Sequence, residues 1–191
     1  MDYLFWKSVA ERDQCICEGL QGFEDEHLIA YGQPVADRFP DDTTYSMSTQ
    51  RKGSRELSDA IDNYDSYVVV SPALREFLVA RVAEPMELLP TTIVDHEGNV
   101  AATDYTILNL LTFHDAIDLE QSDVRWNSID PEKISRFRKL VLAPDNIPDD
   151  CQMMRLKHFP NRLLLRRELA EAIQNEGFTG VRFAEVEGFK R

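Results

Sequence analysis

His114, Asp115 and Asp118 are the one cluster in the sequence whose residue types suit a metal, because an imidazole with neighbouring carboxylates can form part of a coordination shell. That reading would make the chain a metal-dependent hydrolase. Against it, the His-Asp pair ends the apolar run YTILNLLTF, where capping and turn roles come naturally. Three further histidines, His27, His96 and His158, are the remaining imidazoles from which a catalytic shell would have to be completed. Cys15 and Cys17 form C-x-C with no second Cys or His pair at zinc-site spacing. With Cys151 they make an odd number, which reads as free, buried thiols. No G-x-S-x-G, P-loop, G-x-G-x-x-G or H-E-x-x-H occurs. Gly177 and Gly180 follow a helical pattern instead of preceding one, which suits a helix end and not a phosphate cradle. No metal and no cofactor is expected.

Carboxylates recur in turn-like segments, at Asp41 and Asp42, at Asp59, Asp62 and Asp65, and at Asp145, Asp149 and Asp150. The 191 residues carry 34 acids against 21 bases, a net −13, and the acidity is uneven. Residues 1–150 hold 29 acids and 13 bases, net −16, while residues 151–191 hold 5 and 8, net +3. Such a balance disfavours direct binding to nucleic acid or to an anionic membrane, both of which need a basic surface, and it would steer a cationic protein instead. Asp41, Asp42, Asp145, Asp149 and Asp150 are therefore the candidate contact carboxylates, with Tyr45 and Trp126 as candidate aromatic anchors. Charges at Asp2 and Lys7 leave no signal-peptide core, and the charge-free runs are half the length of a membrane span, so a cytoplasmic protein is expected.

Elements that would position these residues are legible from Leu57 onward. YVVVSPALREFLVARV reads as a strand, Tyr67 to Val70, feeding a helix with Ser71 as cap, Pro72 at its first position and an apolar stripe of Leu74, Phe77, Leu78 and Val82. Two strands flank the polar turn Asp95 to Asn99, where Gly98 can take positive φ. A further strand covers Phe137 to Leu142. RLLLRRELAEAIQNEGFTGVRF reads as a strand, a helix over about Arg167 to Glu176 ended by Gly177, and a strand at Val181 to Phe183. Residues 1–60 hold short apolar pieces between Gly- and Pro-punctuated polar ones, so an irregular part of short strands and loops is expected. The fold class is a single compact α+β domain over 1–191, with a mixed or antiparallel sheet and two principal helices each following a strand.

The succession YVVVSPALREFL, ILNLLTFHDAIDLEQS, ISRFRKLVLAPDNIP and MMRLKHFPNRLLLRRELAEAIQNEGFTGVRF resembles the immunity proteins of bacterial polymorphic toxin systems. Within these, it is similar to the family named for a myxobacterial immunity protein and earlier catalogued as a domain of unknown function. The matching features are Ser71, Leu74 and Leu78; Asp118, Glu120 and Ser122; Gly177, Thr179, Gly180, Val181 and Phe183; and the Gly32 and Pro34 turn of YGQPVAD. The likeness is clearest over 61–191. It implies a non-catalytic cytoplasmic protein that binds and neutralises a cognate protein toxin delivered by type VI or contact-dependent secretion, and it carries over no catalytic residues; the acidic balance adds that this toxin has a basic surface. A non-catalytic adaptor is the other reading that needs no enzyme.

Overall fold

In the computed structural model, which describes residues 3–187 and Phe189, the chain runs β1 (Tyr3–Ser8), β2 (Ile16–Gln21), α1 (His27–Ala30), β3 (Thr44–Met47), β4 (Ala60–Asn63), β5 (Val68–Val70) and α2 (Pro72–Val79). It continues through β6 (Met86–Val94), β7 (Val100–Leu110), β8 (Phe113–His114), β9 (Asp123–Trp126), β10 (Ile134–Lys139), β11 (Met153–Leu156), β12 (Phe159–Arg166), α3 (Arg167–Asn175) and β13 (Val181–Glu185). The α+β class with mixed strand directions holds, but the strands divide into three groups. Six close a barrel in the order β2-β3-β6-β7-β5-β4, five form a sheet in the order β13-β1-β12-β11-β8, and β9 with β10 makes a separate two-stranded ribbon.

The long apolar runs are explained by burial on both faces. Val69 and Ile107 point into the barrel with Tyr45, Tyr67 and Leu89, while Val68, Val70, Leu108 and Leu110 point out of its wall into a second core. That second core is completed by Leu74 and Leu78 of α2, Leu169 and Ile173 of α3, and Trp6, Leu163 and Leu165 from one face of the five-stranded sheet. The sheet's other face sends Phe5, Met154 and Leu164 into a third core, where they meet Ile134 and Leu140 and the half-buried Val124 and Phe137 of the ribbon. The layers are thus barrel, helices, sheet and ribbon.

Local signals behave as their chemistry requires. The Ser71 hydroxyl accepts from the Leu74 N–H at 3.3 Å and caps α2. Gly177, at φ +79°, follows the end of α3 and donates to Gln174 O at 3.0 Å, the inner bond of a Schellman motif. Asp95 turns the β6–β7 hairpin by accepting from the Glu97 and Asn99 N–H groups at 2.9 Å each, with Gly98 at φ +84°. The first 60 residues hold more order than their punctuation suggests, since β1 lies between β12 and β13 inside the sheet and β2 and β3 are barrel staves.

Candidate functional site

The His114 cluster is taken up by the fold. His114 is half-buried and its strand pairs in parallel with β11. Asp115 faces out and pairs with Lys157 at 3.0 Å and His158 at 3.4 Å. Asp118 accepts from the Gln121 and Glu120 N–H groups at 3.0 Å each, and these bonds hold its carboxyl below the usual carboxylate range. Ser122 closes the same turn, its Oγ accepting from the Val141 N–H at 2.9 Å. Among the described residues no three His, Cys, Asp or Glu side chains gather where a metal ion could be held. The three free cysteines are buried, and burial pushes the Cys151 thiol up to about 11.

Two other motif residues, Ser71 and Thr179, far apart in the chain, meet at Asp59. Ser71 Oγ donates to Asp59 Oδ1 at 2.8 Å, while the Thr179 N–H and hydroxyl both donate to Asp59 Oδ2 at 2.9 Å. The Gly177–Gly180 turn is thereby stapled to the barrel, and Gly180 (φ +76°) lies so close that an added Cβ would sit 2.2 Å from Ala60 O. The Gly32 turn is held in the same manner. A Cβ there would meet Arg155, whose guanidinium reaches Leu110 O at 2.9 Å, Ala30 O at 3.0 Å and Pro160 O at 2.6 Å. Arg155 is buried and, among the described residues, has no ion-pair partner; burial lowers its pKa to about 10, so it stays charged at neutral pH. It borders a cleft of about 330 Å³ between barrel and sheet, shared with Lys7, Asp62 and Asn161. Burial raises the Asp62 carboxyl above its usual range. The chemistry of the cleft is ionic and hydrogen-bonding.

The candidate contact residues fall on three separate elements. Asp41 and Asp42 are exposed in the turn entering β3. Asp145, Asp149 and Asp150 are exposed on the loop between β10 and β11, which is pinned by Asn146 Nδ2 donating to Asp115 O at 2.8 Å and by Arg166 donating to Asp149 O and, at 3.0 Å, to Cys151 O. Among the described residues none of these five carboxylates is ion-paired, so each stands in solvent on a fixed backbone. Tyr45 is a correction. It is 0% exposed inside the barrel, its hydroxyl donating to Asp65 at 2.6 Å, so no partner can reach it while the barrel is closed. Trp126 remains 38% exposed, with its ring edge-on to His158 at 5.4 Å.

Trp126 belongs to the ribbon, of which the sequence shows only one strand, expected at Phe137 to Leu142 and found as β10 at Ile134–Lys139. Val124 and Phe137 face the third core, so Arg125, Arg136 and Arg138 take the outer face, and all three are exposed. Arg125 and Arg136 are register partners, and with Asp123 and Arg138 they border a concavity of about 170 Å³. The turn beyond them is organised by Asn127, whose side-chain oxygen accepts from the Ile129 N–H at 2.8 Å, and it presents Ile129 at 92% exposure. The alternation Arg136, Phe137, Arg138 was the signal that places two arginines on one face of a strand.

The model of the immunity protein family Imm11 matches residues 7–188, nearly the whole chain. No curated protein matches it. The motif residues quoted from the sequence lie inside that span.

Proposed function

The chain belongs to the Imm11 immunity protein family, and on that premise we propose that it neutralises one cognate bacterial toxin by binding it in the cytoplasm. The family match over residues 7–188 is the observation that carries this reading. It is supported by the motif residues themselves, since Asp118, Ser122, Ser71 and Thr179 are engaged in turns, a cap and a staple, and none is free to attack or to move a proton. The chain acts by occupying its partner and not by turnover. The metal-dependent hydrolase reading is the less favoured, because Asp115 is engaged in an ion pair and Asp118 in a turn.

The acidic surface has a long-range part in this reading. A net −13 draws in a toxin with a basic surface and raises its association rate, and the pinned loop with Asp145, Asp149 and Asp150 is a rigid portion of that field, as Asp41 and Asp42 are on the barrel. Delivery of the toxin by type VI or contact-dependent secretion fits an inhibitor kept in the receiving cell.

The test is expression of the neighbouring gene product alone and together with this chain. Growth arrest alone, rescue by co-expression and recovery of a stable complex are expected. A neighbour harmless on its own, or no complex, overturns the reading. Within a complex that does form, Asp145→Asn, Asp149→Asn and Asp150→Asn together should slow association and flatten its dependence on salt, leaving dissociation little changed.

A further inference from the structure

The outer face of the β9–β10 ribbon is charged against the rest of the molecule. Residues 123–139 hold five bases and three acids in a chain whose first 150 residues are net −16. Arg125 and Arg136 stand directly opposite each other, and like charges in that position destabilise an antiparallel pair. Carboxylates are abundant, with 34 in the chain, yet among the described residues none is ion-paired with Arg125, Arg136 or Arg138. Three guanidiniums and a single carboxylate, Asp123, border one concavity, an excess of positive charge that folding alone gives no reason to gather. Binding does, because a guanidinium presents a planar fork of donors that matches a carboxylate in two hydrogen bonds.

The ribbon is also placed to be reached. Among the described residues neither of its strands pairs with a strand of the barrel or of the five-stranded sheet, and its ties to the body are the Ile134 N–H donating to His158 O at 2.7 Å and an inner face anchored through Val124, Ile134 and Phe137. Its turn is fixed by Asn127 and by His158 Nδ1, which lies 2.7 Å from Glu132 O, so Ile129 is held out on an ordered backbone. Arginine and tryptophan are residues over-represented at the centres of protein interfaces, and here both are exposed on the ribbon whose turn carries Ile129.

We propose that this face of the ribbon docks an acidic segment of the cognate toxin, whose carboxylates are taken by Arg125, Arg136 and Arg138 while Ile129 packs against an apolar neighbour of that segment. The proposal rests on the toxin-binding reading above and deepens it by naming the face. Long-range attraction and close docking then have opposite signs. The acidic body draws in a basic toxin, and the basic ribbon admits it only in the orientation that brings its acidic segment onto the arginines, which rejects cationic proteins lacking one. A nucleic acid strand is the other polyanion arginines bind, but the phosphates would have to approach a body of charge −13.

The experiment measures affinity for the toxin encoded by the neighbouring gene with the wild-type chain, with the triple variant Arg125→Ser, Arg136→Ser, Arg138→Ser, and with Arg136→Glu alone. The triple variant is expected to bind at least tenfold more weakly. Arg136→Glu sets a carboxylate opposite Arg125, so its Tm should hold or rise while its affinity falls, a split that a merely structural ribbon would not produce. Affinities within twofold of wild type for both variants overturn the ribbon proposal and leave toxin binding standing. Failure of the wild-type chain to bind overturns both. Nucleic acid retained by the wild-type chain and released by the triple variant overturns the toxin-docking proposal in favour of the other polyanion.

Discussion

The β6–β7 hairpin and the β9–β10 ribbon begin from the same device and end differently. Each is turned by one side chain that accepts from backbone N–H groups two residues on, Asp95 in the first and Asn127 in the second. The hairpin then finds a neighbour on each side, β3 along β6 and β5 along β7, and its facing pairs are apolar at Leu89 with Ile107 and Leu88 with Leu108, while its polar pair Glu87 and Asn109 is joined by a hydrogen bond. The ribbon finds none, and it faces one arginine with another. Turn chemistry is local, whereas the fate of the edges is decided by the rest of the fold. Closing a barrel removes edges that would otherwise pair with foreign strands. Leaving a charged ribbon open gives up that protection and obtains an accessible face, which is what a binding protein needs.

That contrast can be broken most severely at Gly180, where the α3–β13 turn meets the barrel. Gly180→Ala places a Cβ 2.2 Å from Ala60 O at φ +76°, so backbone must move. A loss of about 3–5 kcal/mol is expected from the combined left-handed strain and overpacking, read as a drop in the urea midpoint. A loss below about 1 kcal/mol would show that barrel and turn are not rigidly joined. Alkaline pH should act next, and on the body alone. Burial raises Tyr3 from 10.0 to about 12 and lifts Tyr45, Tyr67 and Tyr105 as well, while residues 123–139 hold no tyrosine. A raised folded pKa means that the unfolded chain loses its protons first, so this stability is complete below pH 10 and declines as the pH rises toward 12. Urea midpoints that stay level from pH 8 to 11.5 would contradict it. The smallest effect belongs to the ribbon's turn. Ile129→Ser should shift stability by less than about 0.5 kcal/mol, because the side chain is 92% exposed, and yet weaken toxin binding. Equal losses in both would show that the turn is part of the body.

Much of the fold is legible in the sequence where the signal is local. α2 and α3 show themselves by cap, stripe and terminating residue, and the β6–β7 hairpin by its Asp-to-Asn turn with Gly98. Barrel closure is not legible, because it depends on parallel pairings of β2 with β4 and of β3 with β6 that no short window contains. The Asp59 staple hides for the same reason, joining positions 120 apart. Tyr45, a candidate anchor by its residue type, is closed off from a partner by the alternation of its strand. Alternation in Thr44, Tyr45, Ser46, Met47 puts the tyrosine and the methionine on one face, and that face is the barrel interior. The ribbon arginines were overlooked because a net charge summed over 150 residues conceals a short stretch of opposite sign.

The position of β1 sets an order of events. Its pairing brings together Tyr3 and Arg166, 163 positions apart, and its other edge is taken by β13, the last strand of the sheet. All six barrel staves, by contrast, are in hand by Leu110. As the chain is synthesised, the barrel therefore has all its staves while β1 still lacks both neighbours, and Tyr3, Leu4, Phe5 and Trp6 remain uncovered until β12 arrives. A nascent inhibitor is then a finished barrel trailing an adhesive strand, and the interval before that strand is enclosed is the one in which crowding by other nascent chains, or a chaperone, has most to act on.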